Sequence, residues 1–224
     1  MSAQQSLRLN GAVLSAEAAG TLWWAETGTL IVSDLHLEKG SAFATRGVML
    51  PPYDTPTTLA LLAQSMRAGL QRVICLGDSF HDNDGPARLG AADAQRLHTM
   101  TRSCEWIWIA GNHDPAPPAE LGGRVSGEYR LGPLTFRHIA EARAEPGEVS
   151  GHYHPKASLY LRGRRFSGPC FVYDEERLVM PALGAYAGGL DVGDEAVRAL
   201  FPGRFKVALL ARGRVIELSA PEML

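Results

Sequence analysis

The sequence predicts an α/β domain in which strands and helices alternate through the first half and hairpins fill the second. Three observations carry that prediction. Apolar runs at Leu30–Val32, Arg72–Leu76 and Trp106–Ala110 read as short buried strands. A helical pattern separates the first two: Thr55 stands as N-cap ahead of Pro56, Leu59, Leu62, Ala63 and Met66 recur at helical spacing, and Gly69 ends the run. Each strand-like run ends in polar residues of the Asp, His and Asn type, and the carboxyl ends of strands are where open α/β sheets hold their ligands.

Ahead of Leu30 the chain alternates apolar and polar residues in short pieces. Thr21–Ala25, a Glu26-Thr27-Gly28 turn and Thr29–Ser33 form a predicted hairpin whose second strand delivers Asp34. Lys39–Arg46 is a connecting loop or short helix, and Pro51-Pro52-Tyr53-Asp54 is a rigid loop, because consecutive prolines cannot pair in a sheet. Asp93–Thr101 reads as a helix. Farther on, Tyr129–Ile139 and Ser158–Val179 read as hairpins and Glu195–Leu200 as a helix. Phe205–Leu210 and Arg214–Leu218 then close around an Arg212-Gly213 turn. With no repeat, low-complexity tract or linker, residues 1–224 are expected to form one domain.

Composition excludes some classes of function. Hydrophobic residues at 46% and charged residues at 21% suit a globular chain, and no apolar run nears the ~20 residues of a bilayer span. Met1–Asn10 holds one Arg and no apolar segment, so it does not read as a secretory signal, and a cytoplasmic location without membrane attachment is expected. A net charge of -2 gives no overall nucleic-acid signature and leaves only a local basic face for that role. Cys75, Cys104 and Cys170 lack any C-x-x-C spacing and are expected to be buried reduced thiols.

The polar sets are Asp34 with His36, Gly77-Asp78, Gly111-Asn112-His113-Asp114, His138, and Gly151-His152-Tyr153-His154. On an extended backbone, residues two apart point the same way, so Asp34 and His36 are expected to converge. A carboxylate and an imidazole meeting at one point suit a divalent cation such as Mn²⁺, Fe²⁺ or Zn²⁺.

In their order these sets resemble the signature of the calcineurin-like metallophosphoesterase family, D-x-H, G-D, G-N-H-[D/E], a lone His and G-H-x-H. Every element is present between Asp34 and His154. The resemblance implies an αββα sandwich, two mixed β-sheets flanked by helices. It also implies a phosphoester hydrolase that uses two divalent metal ions, manganese first, with iron or zinc as alternatives. Two cations ~3.5–4 Å apart activate water and hold the phosphoryl oxygens. By the same resemblance Asp34, His36 and His154 belong to one metal, Asn112, His138 and His152 to the other, and Asp78 bridges them. His113 is the non-ligand that faces substrate, as an acid or a stabiliser of charge, with Asp114 orienting its ring and holding its tautomer. Gly77, Gly111 and Gly151 are expected at sharp turns that leave no side chain between backbone and substrate. His81, beside Asp82, follows Asp78 closely enough to border the site, whereas His98 reads as a helix-surface or core residue.

Within that family, Ser33–Gly40, Pro51–Asp54 and Met180–Leu190 are similar to the bacterial ligase-associated DNA damage response endonuclease group. That similarity implies hydrolysis of phosphodiesters, in DNA or another substrate, in a repair setting with an ATP-dependent DNA ligase, a helicase and an exonuclease. A phosphomonoesterase or nucleotide pyrophosphohydrolase would use the same metals and differ in the walls of the pocket. Arg162, Arg164 and Arg165, flanking Gly163 at a predicted hairpin tip, are placed to hold phosphates of an extended strand. Tyr186, in a glycine-rich loop, is expected to stack or hydrogen-bond near the site.

Overall fold

Alternation along the strands sets the layers. The computed structural model describes residues 3–116, 119–143, 145–161 and 164–219, with the backbone alone at 119, 160, 161, 164 and 219. Its first sheet orders β1 (Gln4–Leu9), β2 (Ala12–Glu17), β3 (Leu22–Trp24), β4 (Thr29–Val32), β5 (Arg72–Cys75), β6 (Glu105–Ile109) and β7 (Arg124–Ser126) side by side. Strands β1 to β4 pair antiparallel and β4 to β7 parallel. On β4, Ile31 packs between the sheets while its neighbours Leu30 and Val32 face outward.

The second sheet comprises β8 (Glu128–Leu131), β9 (Leu134–Arg137), β10 (Glu148–Ser150), β11 (Lys156–Leu161), β12 (Arg164–Tyr173), β13 (Arg177–Val179), β14 (Lys206–Ala211) and β15 (Arg214–Ser219). Its order is β15-β14-β12-β13-β10-β9-β8, with β11 paired to β12. Between the sheets Ile31, Ile74 and Ile107 share a core with Phe136, Val149 and Phe171, all fully buried. Burying one such side chain contributes ~1.5–3 kcal/mol, so this seam is what holds the two halves together.

The helices are α1 (Lys39–Ala44), α2 (Asp54–Ser65), α3 (Gly85–Arg88), α4 (Ala91–Thr101) and α5 (Glu195–Arg198). Leu59 and Leu62 of α2 and Leu97 and Met100 of α4 cover Leu30, Val32, Val73 and Trp106 on the outer face of the first sheet. Val197 of α5, with Phe201, covers Val172, Val207 and Leu209 on the outer face of the second. The result is the expected αββα sandwich of two mixed sheets. Among the described residues, no helix is long and apolar enough to cross a membrane.

Register then aligns the strand ends. Val32 pairs with Cys75, and Cys75 with Trp108, so the loops carrying Asp34, Asp78 and Asn112 leave the first sheet abreast. In the second sheet Val149 pairs with Phe136, which brings Gly151 beside His138; the Gly151 N–H donates to the His138 carbonyl at 3.0 Å.

Two local expectations change. Helix α2 begins at Asp54 and ends at Ser65, with Tyr53 as its N-cap. Thr55 does not cap it; its hydroxyl accepts from the Glu38 N–H at 2.8 Å and donates to Glu38 Oε1 at 2.9 Å, tying α2 to the loop after Asp34. The β1–β2 hairpin is an addition: Asn10 and Gly11 both take positive φ, 43° and 85°, which is what Asn-Gly favours in a tight hairpin turn.

Candidate metal centre

Seven side chains expected as ligands meet at the aligned strand ends, in two clusters. In one, Asp34, His36 and His154 bring their donor atoms within 4.8 Å of one another; in the other, Asp78, His138 and His152 do the same. Asn112 joins the second with its Oδ1 2.9 Å from His138 Nε2. Asp78 stands between the clusters: its Oδ2 lies 3.4 Å from His138 Nε2 and 4.0 Å from His36 Nε2.

The backbone that achieves this is not extended. Asp34, His36, Asp78, His152 and His154 all adopt the left-handed region, with φ of 52°, 43°, 46°, 70° and 44°. Convergence of Asp34 with His36 therefore comes from consecutive tight turns rather than from strand alternation, which corrects the expectation. Non-glycine residues in this region cost of order 1–3 kcal/mol each and persist only where the surroundings hold them.

Those surroundings are specific. Each carboxylate commits one oxygen to the scaffold and leaves the other free. Asp34 Oδ2 accepts from the Ser33 hydroxyl and from the His152 N–H at 3.0 Å, while Oδ1 is buried without a hydrogen-bond partner. Asp78 Oδ1 accepts from the His113 N–H at 2.9 Å, leaving Oδ2 to face both clusters. His138 Nδ1 donates to the Leu76 carbonyl at 2.8 Å, which fixes the tautomer and turns Nε2 toward the site.

Electrostatics favours the ligating forms of His36, Asp78 and Asp34, whereas at His138 burial is outweighed by the hydrogen bond to Asp78 and the charges of Asp34 and Asp78, which raise its pKa. Burial, only partly offset by Asp34 and Asp78, lowers the pKa of His36 to about 3 and so keeps the imidazole neutral. Burial pushes Asp78 upward, but hydrogen bonding to His138 outweighs it and sets the carboxyl at about 2. For Asp34, burial is likewise outweighed by His154, His138 and Ser33, so this carboxyl is also lowered. The Nε2 atoms of His36 and His154 face each other at 3.4 Å, and Asp34 Oδ1 is 3.1 Å from the latter. The neutral His36 imidazole and the His154 ring beside a buried carboxylate oxygen are a donor set that fits a divalent cation.

The strand-end glycines serve the ligands rather than the substrate. A Cβ on Gly111 would overlap the backbone nitrogen and Oδ1 of Asp78 and come within 2.7 Å of Asp114 Oδ1. One on Gly77 would lie 2.6 Å from the His138 ring, and one on Gly151 would overlap the Ser33 hydroxyl.

Comparison with solved structures gives the same answer as the geometry. The chain matches the crystal structure of the Pseudomonas putida nuclease MPE at 28% identity and a TM-score of 0.76, over 96% of this chain and 100% of that one. In the order of its polar sets and in their two clusters the chain is similar to the metallophosphoesterases. With a nuclease matched over nearly its whole length, the chain is a hydrolase. Two more distant likenesses are to YfcE, a phosphoesterase from E. coli (15% identity, TM-score 0.40, 88% of this chain and 99% of that one), and to Vacuolar Protein Sorting 29 from Cryptosporidium parvum (16%, 0.35, 86% and 95%). A scan of family models and a search of curated proteins give no match.

Around the candidate metal centre, His113 stands half-exposed with its Nε2 4.0 Å from Asp78 Oδ2. Its Nδ1 donates to the His81 carbonyl at 2.8 Å. Asp114 therefore does not orient the ring as expected: it is buried behind Asp78 and accepts from the Phe80 N–H at 2.9 Å. Burial raises the Asp114 pKa to about 7, with Asp78 adding to the rise.

His81 borders the site as expected. Its ring stacks on His113 at 5.2 Å between centroids and meets His36 edge-on at 5.5 Å. Burial, with Lys39 and His113 nearby, lowers its pKa to about 4. Tyr186 spends its hydroxyl on the Pro51 carbonyl at 2.9 Å, so it struts two loops. Arg162 lies outside the described residues, and Arg164 has only its backbone described. Arg165 donates through Nε and a terminal nitrogen to Ser158 Oγ at 3.2 and 3.0 Å across the β11–β12 hairpin. The sequence expectations omitted Lys39, three residues after His36, half-buried, with its Nζ 6.0 Å from the Phe43 ring centre. Its signal was present in Glu38-Lys39-Gly40, but nothing local tells a buried lysine from a solvated one.

Proposed function

We propose that this chain is a metallophosphoesterase, a two-metal phosphodiesterase that acts on DNA. The observation that carries the reading is the placement of Asp78 Oδ2 between two clusters of buried ligands, 3.4 Å from one and 4.0 Å from the other, in a chain 28% identical to a nuclease over nearly its whole length. Two divalent cations held there would supply Lewis-acid stabilisation of the phosphoryl oxygens and a lowered pKa for the attacking water. The family resemblance puts manganese first, and the mixture of carboxylate, amide and imidazole donors suits iron or zinc as alternatives.

The chain's own groups account for the rest. Asp34, His36 and His154 would hold one cation, and Asn112, His138 and His152 the other, with Asp78 placed to serve both. Asn112 would ligate through a neutral amide, which would leave the centre attractive to an anionic phosphate. His113 has one ring nitrogen committed to the His81 carbonyl, so the proton it can give away is the one on Nε2. Delivered to the leaving oxygen, that proton removes the need to expel an alkoxide. A cytoplasmic repair role beside an ATP-dependent DNA ligase, a helicase and an exonuclease follows from the similarity of three segments to the ligase-associated endonuclease group.

The test is turnover of bis-p-nitrophenyl phosphate against p-nitrophenyl phosphate with Mn²⁺, Fe²⁺ or Zn²⁺, together with nicking of single-stranded and supercoiled DNA. Preference for the diester, and nicking abolished by EDTA, support the reading. Equal or better monoester turnover with no nicking refutes it.

A further inference from the structure

Two cavities flank the metal centre, and their charges differ. The larger, about 620 Å³, opens beside Asn112 and His138 and also takes in Arg137, Glu128 and Glu141. Its cation is matched: Arg137 pairs with Glu128 at 2.9 Å, with Glu148 at 3.6 Å and with Glu141. The smaller, about 210 Å³, opens beside His154 and is lined by Lys156, Pro169, Ala182, Ala185 and Ala187, with Gly184 and Gly188. Here the cation is unmatched. Lys156 is half-buried, and among the described residues its ammonium forms no ion pair or hydrogen bond. Asp191, whose backbone bridges to Lys156, uses its Oδ1 on the Gly193 N–H at 2.9 Å.

The loop that closes this cavity is held tightly against the lysine. A Cβ at Gly189 would overlap the His154 carbonyl and sit 3.0 Å from Lys156 Cε, whereas Gly188 faces open space. Among the described residues the N–H groups of Gly188 and Gly189 donate to no carbonyl. A half-buried ammonium without a counter-ion, facing a loop whose cavity-lining Gly188 N–H donates to no carbonyl, is chemistry for an anion. Since a water occupies ~30 Å³, the cavity has room for about seven, enough for a phosphodiester group and part of its sugar.

Resting on the phosphodiesterase reading above, we propose that this cavity binds the phosphate next to the scissile one along the same polynucleotide strand, with Lys156 as its specificity-determining contact. His154 belongs both to the first metal cluster and to the cavity wall, so an anion in the cavity is the immediate neighbour of one at the metals. The wall of Pro169, Ala182, Ala185 and Ala187 suits the apolar face of the intervening sugar. A small diester has no second anion to place there.

The experiment uses the metal-loaded full chain and thymidine carrying a p-nitrophenyl phosphate on its 5′ or 3′ oxygen. Each substrate is compared with the same compound extended by one nucleotide. Wild type is expected to favour one extended substrate by ~10–100-fold in kcat/KM, expressed in KM, which is the range of one charge-assisted contact. In Lys156→Met that ratio should collapse toward one, and the salt slope of log KM on the extended substrate should fall by about 0.7. Lys156→Arg should recover most of the ratio. An unchanged ratio in Lys156→Met, a parallel loss on both substrates, or a wild-type ratio of one overturns the inference while leaving the phosphodiesterase reading intact. Failure of wild type to hydrolyse either substrate overturns that reading, and this inference with it.

Discussion

Replacing Gly111 with Ala separates a glycine kept for its ligands from one kept for substrate clearance. The new methyl would overlap the backbone nitrogen and Oδ1 of Asp78 and sit 2.7 Å from Asp114 Oδ1. Gly111 is not among the residues at positive φ, so the effect is steric alone. Overpacking of this kind costs ~1–3 kcal/mol, which at ~2–4 °C per kcal/mol for a chain of this size lowers Tm by about 2–12 °C. Native stability of ~5–15 kcal/mol absorbs that, so the variant should fold. Displacing Asp78 loosens the one carboxylate both clusters share, and both metal affinities should drop by ~10–100-fold. Thermal unfolding of EDTA-treated protein measures the first effect, and elemental analysis after reloading measures the second. Gly203→Ala, with nothing within 4 Å of its Cβ, is the control. A Gly111→Ala variant that melts with wild type and carries two metals, yet has lost activity, refutes the reasoning and returns the glycine to the substrate.

Asp78→Ala should lose both metals together while His154→Ala mainly weakens one, and full occupancy of the Asp78 variant by elemental analysis would contradict the bridging role. His113→Ala should keep both metals and lose ~10²–10⁴-fold in kcat on DNA. The loss should be far smaller on bis-p-nitrophenyl phosphate, whose leaving group needs little protonation; equal losses exclude the acid role. Asp114→Asn should affect both diesters equally, because Asp114 supports the Phe80 N–H rather than the His113 ring. A loss confined to DNA would restore the orienting role. Because the Asp114 pKa rises from 3.8 to about 7 on folding, the folded state holds its proton more tightly. The Asp114 contribution to the stability of the metal-free protein should then fall as pH rises from about 4 through about 7, against the opposite contributions of His36 and His81, so the stability of wild type relative to Asp114→Asn in thermal melts should fall across that window.

The order of the polar sets was legible because each follows an apolar run whose end the sheet register aligns, and that run is a local signal. Geometry inside the sets was not. Asp34 and His36 look the same in sequence whether their backbone is extended or left-handed, and the choice is made by the Gly77 and Asp78 carbonyls, which accept their N–H groups at 3.3 and 2.9 Å. The partner of His113 could not be read for a similar reason. Asp114 is adjacent in sequence, but the His113 ring donates instead to the carbonyl of His81, 32 residues away, and Asp114 is drawn inward by the Phe80 N–H. Lys156 carried no local mark either. Its unmatched charge exists only because the 184–189 loop folds back on the start of β11.

Aspartate, histidine and asparagine are the non-glycine residues that enter left-handed backbone most readily, so at positions 34, 36, 78, 152 and 154 conformation and coordination ask for the same residue types. A swap that coordination chemistry alone would permit, such as cysteine to draw a softer metal, meets a backbone penalty of ~1–3 kcal/mol before any ion arrives. Glycine would lift the penalty but carries no donor. Asn112 and His138 stand outside that region of backbone. They are the two positions from which the metal preference of this centre can be re-engineered or can drift, and the half-site they share is the more adaptable of the pair.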